Sequence, residues 1–366
     1  MPQQTSHWIL RRLAHLDGIL LTLVVLLLGV SLAVVTSASG QSPARISGHL
    51  VNIGLALAVM VVMANVPPHL LSKVGPPLYV AGVVLLIGVA LFGEIRNGAR
   101  RWLNLGFAFQ PSELLKLALP LMLAWYFQRN EAVLRAKHFL AGGALLVVPF
   151  LLILRQPDLG TAMMIGASGF YLLFFAGLPW KVILGGATLG AASLPVVWGL
   201  MHDYQQQRVL TLLDPSSDPL GAGYHIIQST IAIGSGGLFG KGWMQGTQNQ
   251  LDFIPERTTD FIYAVFGEEF GYFGAILLVG LYLAIVARGL VIAARAPTLF
   301  GRLMAATLSL NLFTYAFVNM GMVSGILPVV GVPLPLMSYG GTALITLLLG
   351  VGIVMSVATH RQLMTR

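Results

Sequence analysis

Apolar segments of about 20 residues follow one another along almost the whole chain, and they restrict its fold more than any other feature. The hydrocarbon core of a bilayer is roughly 30 Å thick, and a helix of about 20 residues crosses it. The alternation of polar and apolar residues typical of a transmembrane β-barrel does not occur, so these segments must be helical to satisfy their backbone in lipid. The segments lie at about 17–38, 48–66, 76–93, 112–128, 138–154, 159–177, 181–200, 261–287, 303–326 and 338–358.

Composition supports this class, because 56% of the 366 residues are hydrophobic and only 9% are charged, far from the values of a soluble globular domain. The sequence therefore predicts an all-α polytopic membrane protein with about ten transmembrane helices. Residues 1–366 are interpreted as a single domain without internal repeats. The polar residues 201–260 are interpreted as one large extracytoplasmic loop between helices 7 and 8.

Basic residues cluster in short segments at alternate helix ends, and such segments face the cytoplasm. We therefore expect both termini in the cytoplasm and the loop 201–260 in the periplasm. The first apolar segment is long for a cleaved signal, so we expect an uncleaved helix. The net charge of +8 mostly reflects this asymmetry, and nucleic acid is not expected as a partner. The residues concerned are Arg11, Arg12, Lys73, Arg129, Arg135, Lys137, Lys181, Arg288, Arg295, Arg302, Arg361 and Arg366.

Polar motifs gather where the even-numbered helices begin. In this orientation those helices start on the outer side, where their unpaired N–H groups and positive dipole ends favour anions such as phosphate. Arg101 and Trp102 precede the fourth helix, and Glu113 and Lys116 share a face in its first turns. The alternative interpretation is local, with an N-cap at Ser112 and a simple ion pair.

Carboxylates mark the sixth and eighth helices. Asp158 and Asp260 stand at the two starts, where each fits either a helix cap or a functional carboxylate. A capping carboxylate is a weak base, so a catalytic Asp260 would need a metal ion, a substrate-induced change or proton transfer in the transition state. Glu268 and Glu269 lie deeper, where ionisable groups are costly. We expect one to face a cavity and the other a neighbouring helix.

Three segments outside the predicted spans complete the pattern. Residues 221–229 predict a short amphipathic helix on the membrane surface, and the glycines of 234–242 would let the backbone approach a ligand closely. P-loop spacing is absent, and neither a nucleotide nor a haem is expected. The Pro- and Gly-rich residues 325–341 form either the wall of a lipid-accessible groove or a plain hairpin loop.

Three separated motifs resemble one known family. They read Asp-Pro-Leu-Gly-Ala-Gly-Tyr-His-Ile-Ile-Gln-Ser at 218–229, Pro-Glu-Arg-Thr-Thr-Asp-Phe at 255–261 and Pro-Leu-Pro-Leu-Met-Ser-Tyr-Gly-Gly at 333–341. In this order they resemble the SEDS (shape, elongation, division, sporulation) family over about residues 15–360. The residues at 202–205 and 327–333 are closer to its elongation branch, RodA, than to its division branch, FtsW.

The resemblance implies a ten-helix peptidoglycan glycosyltransferase of the bacterial inner membrane. Members polymerise lipid II, an undecaprenyl-pyrophosphate-linked disaccharide pentapeptide, into β-1,4 glycan strands during lateral wall elongation and rod-shape maintenance. A class B penicillin-binding protein transpeptidase and other elongation-complex membrane proteins are the implied partners. By position, Asp260 matches the essential loop aspartate of the family. Further matches are Arg101, Trp102, Glu113, Lys116 and Asp158.

In that reaction Asp260 would accept the proton of a sugar hydroxyl, or hold a divalent cation, Mg²⁺ or Mn²⁺, that does so indirectly. Basic side chains would neutralise the departing pyrophosphate. The expected substrate-binding residues are Arg101, Trp102, Glu113, Lys116, Asp158, Arg208, Lys241, Arg257, Glu268 and Ser338.

Two other functions remain open from the sequence. A flippase for the same lipid should carry polar residues through the full membrane depth and some symmetry between its halves, whereas the ionisable residues here cluster at one side. A non-catalytic scaffold would leave the acids buried in the helices unexplained.

Overall fold

The computed structural model describes residues 16–96, 99–104, 108–156, 158–201, 203–219 and 221–364. Most of these residues are helical. The α-helices are α1 (Gly18–Ala38), α2 (Pro43–Ala64), α3 (Pro68–Phe92), α4 (Pro111–Arg129), α5 (Ala136–Leu154), α6 (Leu159–Phe175), α7 (Trp180–Leu200), α8 (Asp203–Leu213), α9 (Ala222–Ser235), α10 (Thr247–Gln250), α11 (Ile262–Ala294), α12 (Leu299–Val323) and α13 (Gly341–Met364).

Ten of these helices match the ten predicted apolar segments, which confirms the predicted class. Eight are long and apolar enough to cross a membrane, namely α1, α2, α3, α5, α7, α11, α12 and α13. Of the other two, α4 carries Glu113, Lys116 and Arg129 among its residues, and α6 is apolar but has only 17 residues. Helices of this number and composition make a multi-pass membrane protein.

Two helices differ from the predicted spans, one in where it begins and the other in being bent. Helix α3 begins at Pro68, well before the predicted start at 76, because Pro76 and Pro77 lie inside a continuous helix rather than in front of one. Helix α11 changes direction at Gly271, whose φ of 64° and ψ of −163° are not helical. Only glycine adopts that conformation readily.

A small antiparallel sheet precedes α4 and was not expected from an all-α prediction. Strand β1 (Glu94–Arg96) pairs with β2 (Ala99–Asn104), which pairs in turn with β3 (Ala108–Phe109). The pairing sets Glu94 opposite Trp102. The sequence signal was the Asn-Gly pair at 97–98, residues outside the described ranges, since this pair is typical of two-residue hairpin turns.

The helices pack around two hydrophobic cores. One core joins α1 and α2 to α11, α12 and α13, and the other joins α3, α4, α5 and α6 to α12. Helix α12 contributes to both, so it connects the two halves of the bundle. Helix α7 differs from all the others, because none of its apolar span is buried within the protein.

The polar loop 201–260 is folded rather than extended. Within it, α9 packs on α11, and the Ser229 hydroxyl donates a hydrogen bond to the Val323 carbonyl at 2.8 Å. The following glycines dock at the bend of α11, where the Tyr272 N–H donates to the Gly237 carbonyl at 2.9 Å. These contacts fix the end of the loop and the start of α11.

Candidate active site

A cavity of 400 Å³ extends from the starts of α4, α6 and α13, and from Asp260 before α11, to Leu20 of α1 and Gly289 of α11. The prediction that polar residues at these starts converge is therefore confirmed. Part of its wall is apolar, from α1, α12 and α13, so the cavity joins a charged end to a hydrophobic one. It brings together six predicted site residues, namely Arg101, Glu113, Lys116, Asp158, Arg208 and Asp260.

Glu113 and Lys116 form an ion pair on α4 and also line the cavity. The Lys116 Nζ lies 2.5 Å from Glu113 Oε1 and 5.5 Å from the centre of the Tyr315 ring. The second Glu113 oxygen, Oε2, is buried and has no hydrogen-bond partner among the described residues. The ion pair of the local interpretation is present, but its N-cap at Ser112 is wrong, because Gln110 is the N-cap residue of α4 and no side chain caps that helix. The functional interpretation stays a prediction, which the place of both charged residues at the cavity supports.

Asp158 likewise has two roles. Its Oδ1 caps α6 by accepting from the Thr161 N–H at 3.1 Å. Its Oδ2 accepts from the Gln110 side chain at 3.3 Å and lies 3.9 Å from Arg101 Nη1. The capping prediction is confirmed, and the free side of the same carboxylate anchors Arg101 at the cavity.

Asp260 is not a helix cap. The residue at the N-cap of α11 is Phe261, and no side chain caps that helix. Within the described residues, no donor reaches the Asp260 carboxylate, which lines the cavity. Burial raises the pKa of Asp260 to about 6, and the negative charge of Glu256 adds to the shift. The concern that a capping Asp260 would be a weak base is therefore removed.

The backbone before α11 is held by three consecutive hydrogen bonds. The Tyr339 N–H donates to the Thr258 carbonyl at 2.8 Å, the Ser338 hydroxyl donates to the Thr259 carbonyl at 2.6 Å, and the Asn319 amide donates to the Asp260 carbonyl at 2.7 Å. We call these contacts the Asp260 clamp. The motifs at 255–261 and 333–341 therefore form one structural unit. This unit fixes the backbone position from which the Asp260 side chain extends.

Ser338 was predicted to bind substrate, but its hydroxyl is engaged in this unit. It accepts from the Leu334 N–H at 2.8 Å while donating to the Thr259 carbonyl. Ser338 does line a second, smaller cavity of 180 Å³, which also touches Asp260 and Pro333. The structure thus links Ser338 to the position of Asp260 rather than to the larger cavity.

Residues 325–340 form a wall of irregular backbone, and most of its second half is buried. Val330, Gly331, Val332 and Pro333 line the 400 Å³ cavity, and the Asn319 amide also donates to the Val332 carbonyl at 2.7 Å. The segment passes so close to α6 that a side chain at Gly160 would lie 2.9 Å from the Val330 carbonyl oxygen. The interpretation as a wall rather than a plain hairpin loop is supported at this cavity, and the lipid-accessible groove stays a prediction.

Three predicted substrate-binding residues are paired elsewhere in the loop. Lys241 forms an ion pair with Glu268 at 2.7 Å, and Arg257 pairs with Asp252. Glu268 is fully buried and also accepts from the Gln248 N–H at 2.9 Å. Trp102 lies on β2. Within the described residues, Lys241, Arg257, Glu268 and Trp102 are not among those lining the 400 Å³ cavity.

The expectation that Glu268 or Glu269 faces that cavity is therefore wrong. Glu268 holds the loop residues 241–249, and Glu269 accepts a hydrogen bond from Ser37 of α1. The expectation of a contact with a neighbouring helix is right for Glu269. The reason is the bend at Gly271, which brings the loop against this end of α11 and supplies donors there.

Two glycines of 234–242 pack closely against a helix. A side chain at Gly236 would lie 2.2 Å from the Gly267 carbonyl oxygen, and one at Gly240 would lie 2.1 Å from that of Glu269. The close approach of the backbone was predicted correctly, but the group that it approaches is the backbone of α11.

The site also contains residues that the sequence reasoning missed. Asn311 and Tyr315 line the cavity from α12, and Asn319 belongs to the Asp260 clamp. They are four residues apart and share one face of an apolar helix. Such a polar stripe within a membrane span was the signal that could have found them.

The residues present fit a divalent cation only with help from a substrate. The described residues contain no group of three or more His, Asp or Glu side chains that could hold a metal. Mg²⁺ needs fewer protein ligands, because one or two carboxylates suffice when substrate phosphates and waters complete its shell. The Asp260 carboxylate, without a donor among the described residues, is the one that would hold it.

Comparisons with known proteins agree with this architecture. A model of the FtsW/RodA/SpoVE family, described as cell cycle protein, matches residues 13–363. The chain is similar to the peptidoglycan glycosyltransferase MrdB of Escherichia coli strain K12, at 53% identity over 354 residues that cover 96% of each chain.

Solved structures show the same fold. A chain from a peptidoglycan synthase complex, described for its coordination of polymerization and crosslinking, is 37% identical with a TM-score of 0.80, covering 94% of this chain and 98% of its own length. The crystal structure of the rod shape determining protein RodA of Thermus thermophilus is 31% identical with a TM-score of 0.71, covering 94% and 97%. Since sequence and fold agree over nearly the full length, the chain belongs to the FtsW/RodA/SpoVE family of cell cycle proteins.

Proposed function

We propose that this protein is a peptidoglycan glycosyltransferase that polymerises lipid II during lateral wall elongation and rod-shape maintenance. The observation that carries the proposal is the 400 Å³ cavity, in which a carboxylate of raised pKa faces basic side chains beside an apolar wall. That combination suits a substrate with a hydroxyl to deprotonate, a pyrophosphate to release and a lipid tail to accommodate. The E. coli relative bears the name of this activity.

The reaction joins two lipid-linked sugars. The GlcNAc 4-hydroxyl of one substrate attacks the anomeric carbon of MurNAc in the other, the bond to undecaprenyl pyrophosphate breaks, and a β-1,4 bond forms with inversion. Asp260 takes the hydroxyl proton as the bond forms. A carboxylate with a pKa of about 6 is a stronger base than an ordinary aspartate and is still largely ionised at neutral pH.

Basic residues of the cavity stabilise the leaving pyrophosphate. Arg101, Lys116 and Arg208 line it together with Asp260. Lys116 and Arg101 lie beside Glu113 and Asp158 before substrate arrives, so their positive charge is held in place for the phosphates. Fixed charge of this kind stabilises negative charge that develops in the transition state.

A divalent cation, Mg²⁺ or Mn²⁺, is proposed as an additional component. Asp260 would hold it, and it would supply positive charge to the departing pyrophosphate. Polymer formation should then fall when the metal is chelated and recover when Mg²⁺ is restored. Unchanged polymer formation in the chelator would exclude the cation.

Orientation and partners follow from the same proposal. The basic short segments favour cytoplasmic termini, with the 400 Å³ cavity open to the periplasm. A class B penicillin-binding protein is the proposed transpeptidase partner, supported by likeness to a chain of a synthase complex that coordinates polymerization and crosslinking. Lipid II is the proposed substrate, and other membrane proteins of the elongation complex are further proposed partners.

A flippase is less well supported than a polymerase. Its transport path should carry polar groups across the whole membrane, whereas the charged residues of this cavity lie at the starts of α4, α6 and α11. A scaffold without catalytic activity does not account for a partly buried carboxylate of raised pKa that lines a charged cavity.

The decisive experiment uses the purified full-length protein with its penicillin-binding partner, whose transpeptidase is blocked, and labelled lipid II. Asp260→Asn should abolish polymer formation. Asp252→Asn is the matched control, because that loop carboxylate is exposed and pairs with Arg257 outside the cavity. Polymer formation that survives Asp260→Asn would refute the catalytic assignment, and no polymerisation by the parent with a functional partner would favour the flippase.

A further inference from the structure

A basic cavity lies at the other end of the helix bundle. Its volume is 360 Å³, and it is lined by Arg129, Asn130, Ala132, Arg135, Lys137 and His138. Helix α4 runs from Glu113 at the active-site cavity to Arg129 at this one, and the rise of a helix puts about 24 Å between them. The two cavities share no lining residue.

The cations of this cavity have no carboxylate partners. Across the described ranges, no Asp or Glu forms an ion pair with Arg129, Arg135 or Lys137. The nearby Glu131 instead lies 3.7 Å from Arg302. The Arg129 guanidinium lies 5.4 Å from the centre of the Trp125 ring, a contact that leaves its N–H edges open. The cavity therefore carries positive charge that the protein does not neutralise.

A histidine lines the same space. His138 is 9% exposed, and its Nδ1 accepts a hydrogen bond from the Arg135 N–H at 3.0 Å. A neutral ring whose Nδ1 accepts carries its proton on Nε2. In the described part of the chain nothing accepts from Nε2, so it is available as a donor to a ligand in the cavity. Helix α5 also begins here, and its N-terminal N–H groups favour an anion.

An exposed apolar face of α5 continues directly from the cavity. Lys137 begins a row that continues through Leu140, Val147 and Leu151, which are 76%, 47% and 53% exposed. At offsets of 3, 10 and 14 residues these side chains share one face of the helix. An apolar chain lying on this face would bring its polar end to Lys137.

We propose that this cavity binds the phosphate of a phospholipid with an anionic headgroup, whose acyl chains lie along the exposed face of α5. The occupant follows from the two halves of the surface, since free phosphate would use the cations but not the apolar row. Basic pockets between membrane helices on the cytoplasmic side are suited to acidic lipid headgroups. The charge bias that orients membrane proteins requires neither a cavity nor an unpaired histidine donor within it.

The test is native mass spectrometry of the purified full-length protein, titrated with phosphatidylglycerol or with phosphatidylcholine. The parent should bind phosphatidylglycerol more tightly than phosphatidylcholine. The double variant Arg135→Gln/Lys137→Gln should weaken phosphatidylglycerol binding about tenfold or more, since each charge near an anionic lipid contributes roughly fivefold. Arg295→Gln, at an exposed arginine outside the cavity, is the matched control and should bind like the parent.

Polymerisation in phosphatidylcholine should be unchanged in the double variant, which shows that it is folded. If the double variant is unstable, Lys137→Gln alone alters one exposed side chain and should weaken binding about fivefold. Equal binding by variant and parent would overturn the proposal, as would equal weakening by Arg295→Gln. Displacement of the lipid by inorganic phosphate at similar concentrations would assign the cavity to free phosphate and overturn the lipid as occupant.

Discussion

Asp260 is partly buried beside Glu256, and both facts raise its pKa above that of an ordinary aspartate. Because Asp260 must be ionised to accept a proton, the rate of polymerisation should fall as the pH drops through about 6. Glu256→Gln removes one of the two causes and should move this fall to lower pH. A pH–rate profile of both proteins measures the shift, and an identical acidic limb in the variant would exclude Asp260 as its origin.

The same carboxylate should lower the stability of the folded protein. The pKa of Asp260 is higher in the folded state than its ordinary value of 3.8, so ionisation costs stability fully above about pH 6 and not at all below 3.8. Asp260→Asn removes this cost. We expect the variant to melt at a higher temperature than the parent near about pH 8, and the difference to vanish towards about pH 4. A variant less stable at every pH would contradict the absence of donors at this carboxylate.

The Asp260 clamp gives Ser338 a positioning role. Ser338→Ala removes the donor to the Thr259 carbonyl and the acceptor for the Leu334 N–H. We expect kcat to fall about tenfold with little change in KM. A misplaced base weakens the contacts made in the transition state more than the contacts that bind the substrate. Ser338→Thr should restore much of the loss. Ser235→Ala, whose hydroxyl bonds only within α9, is the control and should leave kcat unchanged.

At the scale of elements, α7 should tolerate changes that other helices do not. Leu189 of α7 is 72% exposed, whereas Leu123 of α4 is fully buried. Leu123→Ala should destabilise the protein by about 2–5 kcal/mol, and Leu189→Ala by far less. Thermal unfolding in one detergent compares the two, and equal losses would show that α7 packs on the bundle.

The helices were predictable and their partners were not. Apolar runs define α1 and α13 because a membrane span must be apolar along its length. The glycines of 234–242 predicted that the backbone here packs closely against another group. Only the bend at Gly271 shows that this group is the backbone of α11. The small sheet β1–β3 was missed because its strands are too short to establish a period.

At the scale of the whole molecule, topology predicted more of the site than local chemistry did. Placing the even-numbered starts on one side brought Glu113, Asp158 and Asp260 together before any contact was known, and the structure has them lining one cavity. The topology could not exclude Lys241 from the predicted site, because Lys241 lies on the same side of the membrane as Glu113, Asp158 and Asp260 in the predicted orientation. Its partner Glu268 is distant in sequence, and only the folded loop pairs them.

The wall of residues 325–340 separates two spaces that both reach Asp260, one of 400 Å³ and one of 180 Å³. Only the larger contains the cations that would face a lipid-linked pyrophosphate. A small uncharged inhibitor bound in the smaller space would contact the backbone of the Asp260 clamp from the side away from the larger cavity. Its inhibition would then be non-competitive with the substrate, and resistance would arise at Leu336 or Leu344 rather than at any residue that the reaction requires.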